Sequence, residues 1–390
     1  MNKSIAIITY STVTFDSNNQ MYVNRAIGKL LDDLSAKYNK IYYVASRADL
    51  DSSLYDSEGK SIYNYRVKSN KVKFIFVNNI ISYSMIGRIS GMFNNLFFLI
   101  KKLKNIDYYY LNLPSFSNAI FALYLLFKKK YVISYIGSNW DDTGPLRLQK
   151  KLNNFIARFA FKIYTMIQNY IIKKSHFILV TGNYLFKKYS SINDRIELTV
   201  PMTSFAKINL DKKENICHKS YKILYVGRIS YEKGFDLLVD VMNSLGSEFS
   251  LDAIGPIDKL MKEKVGELKN NDNINIVGYI NNPDQLKEYF KKANLFIFLT
   301  KGEGFPRVIY EAMLSGLPVI TSNLDTIKVS LGENRALYVE NNVEEIVNSI
   351  KKIFSDKKLY KRLQNEGVQF TNNIFNQTAA DQLNHLINKY

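Results

Sequence analysis

The chain has a single cysteine, Cys217, so no internal disulfide can staple it and a disulfide-built secreted fold is excluded. A reducing compartment fits that composition. Histidine is nearly as scarce. His176, His218 and His385 lie far apart, and with one cysteine they make no zinc-spacing pattern. Long apolar runs are missing too. The longest uncharged stretch, Tyr108 to Phe127, has spanning length but carries Asn112, Pro114, Ser115, Ser117 and Asn118 in its middle. It reads as strand, loop and helix. Met1 to Ile8 is too short an apolar run for a signal peptide and reads as a first buried strand. Acidic residues are in deficit, 35 against 53 basic, for a net charge of +18. The deficit is local. Residues 1–200 hold 28 basic and 12 acidic side chains (+16), and residues 201–390 hold 25 and 23 (+2). A uniformly basic nucleic-acid wrapper does not fit that split, and no nucleic-acid recognition motif is present. Two domains facing different partners do fit.

What is present is a β/α alternation over 390 residues, a length that suits two domains. Ile5–Tyr10, Lys40–Ala45, Val72–Val77, Asp107–Leu111, Tyr131–Tyr135 and Phe177–Thr181 are short apolar runs. Fully covered parallel strands read that way. Helical periods at Asn24–Lys37 and Arg147–Lys174 fall between them. The second half repeats the plan. Strands are expected at Lys222–Val226, Ser250–Ile254, Ile274–Val277, Leu295–Leu299 and Val319–Thr321. Helices are expected at Phe235–Leu245, Lys259–Lys269, Gln285–Lys291, Arg307–Leu314, Val343–Phe354 and Lys358–Glu366. The expected fold class is α/β, with two Rossmann-like doubly wound domains facing a central cleft. The break falls in the polar stretch Thr203–Ser220. We place a first domain at 1–205, a linker at 206–220 and a second domain at 221–374. The final helix, 375–390, is expected to pack back on the first domain.

The most informative stretch is Leu299 to Asn323, LTKGEGFPRVIYEAMLSGLPVITSN. Pro306 suits the first position of a helix, Gly316 suits its left-handed cap, and Pro318 stops continuation. Such a helix start presents free N–H groups and partial positive charge to a phosphate. Glu303 precedes it, and Glu311 lies five residues past Pro306, about 7–8 Å along the axis. One carboxylate on each side of a phosphate site matches the layout of a nucleotide-sugar: sugar, diphosphate, ribose. Isolated, such a pair is more often a loop Glu and a helix Glu without a role; the Gly302/Gly304/Pro306 context argues otherwise. LYVGRISYEKG, residues 224–234, supplies cations at the end of a buried strand. Arg228 would grip phosphate as a fork and Lys233 as a point charge. Two solvated surface cations are the alternative.

EGFPRVIYEAM, GRISYEKG and the Ile276–Ile280 strand-turn together resemble the retaining glycosyltransferases of family 4, with the GT-B fold. The tail ALYVENNVEEIVNSIKKIFSD is similar as well. The resemblance is strong from about Tyr221 to Gly367. It implies that Arg228 and Lys233 hold the donor diphosphate, that Glu303 contacts the transferred sugar, and that these three are the catalytic set. It implies donor-binding roles for Glu311 on the ribose and for Gly278, Tyr279 and Ile280 at the base. Gly304, Phe305 and Pro306 would line the sugar. Arg307, Val308 and Ile309 would stand at the helix start, with the Val308 and Ile309 N–H groups reaching phosphate. No metal and no cofactor are implied beyond the nucleotide-sugar substrate. The triplet Asp49–Leu50–Asp51 reads as a chance DxD in a polar loop.

The first half departs from the family pattern. The Gly-Gly loop after the first strand is replaced by Thr14–Asn19, and the histidine of His-Gly-Ser-Asp by Ile136. Asp16, Gly137 and Asn139 remain as acceptor-side or sugar-side groups, with loop shaping as an equal alternative. From Met85 to Asn193 there are 16 Lys/Arg and three Asp. Within Arg147–Lys174, Arg147, Lys151, Arg158 and Lys162 recur at helical spacing. Leu148, Leu152, Phe155, Phe159, Ile163 and Met166 form the other stripe. That is either a packed helix with a solvated cationic face or a surface for anionic membrane. The resemblance implies a lipid-linked or oligosaccharide acceptor. It places the protein in the cytoplasm, peripheral at the inner face of the plasma membrane, in bacterial capsule, exopolysaccharide or O-antigen synthesis. A noncatalytic sugar-nucleotide-binding subunit on the same fold is the competing reading.

Overall fold

In the computed structural model the described residues are 3–16, 18–47, 63–77, 85–137, 154–200, 220–268, 272–280, 282–303 and 306–390. They divide into two units. One comprises 3–47, 63–200 and 377–390, and the other 220–376. The expected linker, apart from Ser220, lies outside the described residues.

The first unit is built on a sheet of β1 (Ser4–Phe15), β2 (Met21–Tyr22), β3 (Lys40–Arg47), β4 (Val72–Val77), β5 (Tyr108–Leu113), β6 (Tyr131–Ile136), β7 (Phe177–Val180) and β8 (Ile196–Leu198). The order is β4-β3-β1-β5-β6-β7-β8, with parallel neighbours throughout; β2 returns antiparallel on the end of β1. β1 outruns the expected Ile5–Tyr10. Its register against β3 shifts between Ile8 and Ser11, and a bulge there lets it continue to Phe15. The strands are apolar on both sides because both sides are covered. Ile5 and Ile7 join the core under helices Arg25–Ser35 and Ala379–Lys389. Ala6 and Ile8 join the core under helices Met85–Lys102, Phe116–Phe127 and Asn154–Lys174. Tyr108–Phe127 is thus a strand, a turn and a helix opened by the Ser115 cap.

The last helix is tied to this unit at several points. A Thr378/Asp381 capping box opens it, and Lys37 pairs with Asp381 at 2.7 Å. The Gln382 amide bonds the backbone at Val200 and Leu198, and Lys389 pairs with Glu197.

On Asn154–Lys174 the buried side is Tyr164, Gln168, Ile171 and Ile172. Three members of the apolar stripe read from the sequence face outward. Phe159 is 62% exposed and Met166 64%, with Ile163 between them also exposed. This helix carries two apolar stripes, and packing against Phe116–Phe127 takes the other one. Arg147, Leu148, Lys151 and Leu152 lie outside the described residues.

The second unit has β9 (Tyr221–Val226), β10 (Phe249–Ile254), β11 (Ile274–Gly278), β12 (Leu295–Phe298), β13 (Val319–Ser322) and β14 (Leu337–Val339). All pairs are parallel, in the order β11-β10-β9-β12-β13-β14. The chain steps outward from β9 to β11, then returns to the other side of β9 for β12. The sheet therefore switches direction between β9 and β12, and in such sheets ligands bind outside the carboxyl ends of the strands at that switch point. The expected Lys259–Lys269 helix is a 3₁₀ turn, Lys259–Met261, followed by a short α-helix, Lys262–Glu267. Among the described residues no helix is long and apolar enough to cross a membrane.

Candidate active site

The site grows from the two strands that flank the switch point. β9 ends at Val226, and the chain runs through Gly227 and Arg228 to a 3₁₀ turn, Tyr231–Lys233. Gly234 closes that turn with φ +64. A Cβ there would stand 1.9 Å from the Leu299 carbonyl oxygen, so only glycine lets the loop after β9 lie against the loop after β12. Lys301 N–H donates to the Glu232 carbonyl at 2.9 Å and ties the two loops together.

This contact delivers Lys233 to Glu303. Nζ donates to Glu303 Oε2 at 2.9 Å, to the Gly302 carbonyl at 3.1 Å and to Thr300 Oγ1 at 3.5 Å. An ammonium has three protons, and all three are engaged. Both side chains are largely withdrawn from water, 14% exposed for Lys233 and 19% for Glu303. Arg228 is half exposed, 3.8 Å from Glu232. Three residues expected to share a diphosphate and its sugar thus sit on two adjoining loops. Glu303 and Lys233, read from the sequence as holding different parts of a ligand, are directly paired. Gly302 was read from the sequence only as context for the Glu pair, and Thr300, which also holds the lysine, was not singled out. The one signal for Thr300 was position, just past a buried strand.

The helix Arg307–Leu314 follows the same loop. Pro306 is its N-cap residue, one position before the expected first helical site. At the other end Gly316 takes φ +70, its N–H meets the Met313 carbonyl and Leu317 N–H meets that of Ala312. That is a Schellman closure, as the GLP punctuation required. The N–H groups expected to reach phosphate were Val308 and Ile309. The Ile309 N–H instead donates to the Pro306 carbonyl at 3.0 Å, because the first turn is tight. Gly304 and Phe305 lie outside the described residues. Glu311 keeps some solvent contact, yet dense surrounding protein pushes its carboxyl up to about 7, with Arg307 one turn earlier pulling it down.

The turn after β11 lies two strands from β9, about 9–10 Å at the usual spacing. Gly278 has φ +82, and its carbonyl accepts the Gly255 N–H at 2.9 Å. The Ile280 side chain is buried in the core, so only its backbone can face a ligand; Tyr279 is partly exposed.

In the first unit Asp16 spends its carboxylate on its own hairpin. It accepts from the Asn18 and Gln20 N–H groups at 2.9 and 2.8 Å and from Tyr22. Gly137 donates to the Leu113 carbonyl at the ends of β5 and β6. Asn139 and the Asp49–Asp51 triplet lie outside the described residues. Among the described residues no group of three or more His, Cys, Asp or Glu side chains could hold a metal ion.

The second sheet carries paired opposite charges at its switch point, where ligands bind in doubly wound sheets. Residues 206–370 match the family of glycosyl transferases group 1. The chain resembles the capsular polysaccharide biosynthesis glycosyltransferase CapH of Staphylococcus aureus, 26% identical over 286 residues, 71% of this chain and 70% of that one. Three further relatives are matched over 52–69% of their own length. Its fold is similar to sucrose-phosphate synthase from Thermosynechococcus elongatus, with a TM-score of 0.68 and 17% identity over 100% of this chain and 99% of that chain. It is also similar to Anabaena Alr3699/HepE in complex with UDP and glucose, with a TM-score of 0.64 and 13% identity over 100% and 99%. The fold is GT-B, and the residues that match the group 1 model include most of its second unit.

Proposed function

We propose that this chain is a retaining glycosyltransferase of family 4. It would move a sugar from a nucleotide-sugar donor to a saccharide or lipid-linked saccharide acceptor in bacterial surface-polysaccharide assembly. The observation that carries the reading is the Lys233–Glu303 pair at the β9/β12 switch point, with Arg228 beside it and Glu311 one helix turn beyond. A relative named for capsule synthesis and a structural neighbour holding UDP and glucose point the same way.

The chemistry follows from charge. As the bond from the sugar C1 to phosphate oxygen lengthens, negative charge gathers on the diphosphate, and Arg228 and Lys233 stabilise it. Glu303 orients the sugar through its hydroxyls. The acceptor oxygen bonds to C1 on the face the phosphate leaves. Its proton passes to the departing phosphate oxygen, so no protein nucleophile is needed. Binding and orientation are then the protein's main contributions. No metal takes part in this scheme.

A thermal-shift panel of UDP-, GDP- and other sugar nucleotides should show one class that stabilises the protein by mass action. With that donor, Glu303→Ala and Arg228→Ala should each lower transfer or slow donor hydrolysis at least about 100-fold. An active preparation indifferent to both changes overturns the site. The acceptor reading places the enzyme in the cytoplasm, at the inner face of the plasma membrane.

A further inference from the structure

Helices Met85–Lys102, Phe116–Phe127 and Asn154–Lys174 form one layer on one face of the first unit's sheet, the first and third each packed on the second. The outer side of that layer is unusual in two ways. Its exposed side chains include large apolar ones: Phe93 and Phe97 on the first helix, Phe127 at the end of the second (79% exposed), and Phe159, Ile163 and Met166 along the third. It also carries cations and no acid. None of the three helices contains Asp or Glu.

Lys162 is exposed midway along the third helix, and six further lysines are gathered at one end. In a doubly wound layer each helix runs back against its strands, so the helix ends lie together near the amino ends of β5, β6 and β7. Exposed Lys101 and Lys102, Lys128 and Lys129, and Lys173 and Lys174 terminate the three helices there. Lysine at a helix end is ordinary, because it answers the helix dipole. Phenylalanine exposed beside it is not explained by the dipole. Lys102 Nζ lies 5.8 Å from the Phe98 ring centroid and Lys128 Nζ 5.4 Å from that of Phe127. Ring and ammonium together suit an interface, where the ring enters the acyl boundary and the ammonium stays among phosphates.

We propose that the outer side of this three-helix layer docks on an anionic lipid bilayer. The apolar row lies in the headgroup–acyl boundary, and the lysine end pairs with lipid phosphates. Charge decides between occupants. A second copy would present the same acid-free face, and six facing lysines would repel. An anionic surface gains from each lysine. The proposal gives residues to the membrane location stated under Proposed function. It needs no donor, so vesicle binding and sugar transfer can fail separately.

The test is cosedimentation of the full chain, without nucleotide, on neutral phosphatidylcholine vesicles and on vesicles with 30 mol% phosphatidylserine or phosphatidylglycerol. Binding should need the anionic lipid and weaken as salt rises from 0.05 to 0.5 M. Lys101→Glu/Lys128→Glu/Lys173→Glu should lower partitioning at least about 100-fold, at roughly fivefold per lysine removed. Phe97→Ser/Phe127→Ser/Met166→Ser should lower it at least about tenfold while melting temperature and thermal response to the donor nucleotide stay as in the parent. Equal binding to neutral vesicles, no binding, or insensitivity to the lysine variant overturns the proposal. Sedimentation equilibrium identifies the rival: a dimer abolished by the serine variant, with no vesicle binding, assigns the face to self-association.

Discussion

If the Lys233–Glu303 pair is the centre of the donor site, its two members should fail differently. At 2.9 Å, unit charges attract by about 5–6 kcal/mol at an effective dielectric near 20. Desolvating two largely withdrawn groups offsets much of that, so a net coupling of about 1–3 kcal/mol is expected. Lys233→Met leaves Glu303 without its cation and should cost about 2–4 kcal/mol. Glu303→Gln should cost about 1–2 kcal/mol, since Lys233 keeps the Gly302 carbonyl and Thr300 Oγ1. Urea unfolding of the two single variants and the double variant gives the coupling directly. The ligand effect is sharper. All three protons of Lys233 are engaged, so a donor phosphate must take one of them from a protein acceptor. Glu303→Gln removes the strongest competitor. Isothermal titration should find the nucleoside diphosphate bound at least as tightly as by the parent, while sugar transfer is lost. Lys233→Met should lose both. Additive stabilities within about 0.5 kcal/mol, or equal losses of nucleotide affinity in the two variants, would refute the reasoning.

Glu311 makes the site sensitive to pH in two opposed ways. With its carboxyl pushed up to about 7 from an ordinary 4.5, the folded protein holds an extra proton between those values. Stability should therefore fall as pH rises through that window, by roughly 2–3 kcal/mol at most, and a urea series at pH 4.5–7.5 should show the slope vanish in Glu311→Gln. Ionised Glu311 is the better acceptor for ribose hydroxyls, so nucleotide affinity should rise toward neutral pH, with about a tenfold loss at pH 6. An identical affinity profile in Glu311→Gln would remove Glu311 from the ribose. Gly234→Ala forces a Cβ toward the Leu299 carbonyl at positive φ and should cost roughly 2–4 kcal/mol in urea unfolding; an unchanged midpoint would refute the loop contact.

What the sequence made legible depended on how local the cause was. The sheet strands could be read because burial on both faces writes continuous apolar runs. The turn around Gly316 could be read because a left-handed cap asks for glycine at one position. Arg228, Lys233 and Glu303 could be singled out because each follows a strand, and Glu311 because it lies in the helix that comes after them. That Lys233 bonds Glu303 was not legible. The contact depends on Gly234 nesting against Leu299, 65 residues away, and nothing local records it. β2, β8 and β14 were missed because two or three residues carry no period.

The stripe of Asn154–Lys174 was left open between two readings for a different reason. Helical periodicity says which residues share a face and not which face a neighbour will take. Here the helix had two apolar faces to offer. Tyr164, Ile171 and Ile172 went to the core, and Phe159, Ile163 and Met166 were left outside. An ordinary surface helix needs no second stripe, and keeping one exposed invites aggregation. Such a stripe on an acid-free helix layer that ends in lysines makes physical sense if a charged, apolar-cored surface covers it. The same excess charge that first separated the two halves of the sequence is therefore not spread evenly over the first unit. It is concentrated where three helix ends meet, beside the rings it would carry to a bilayer.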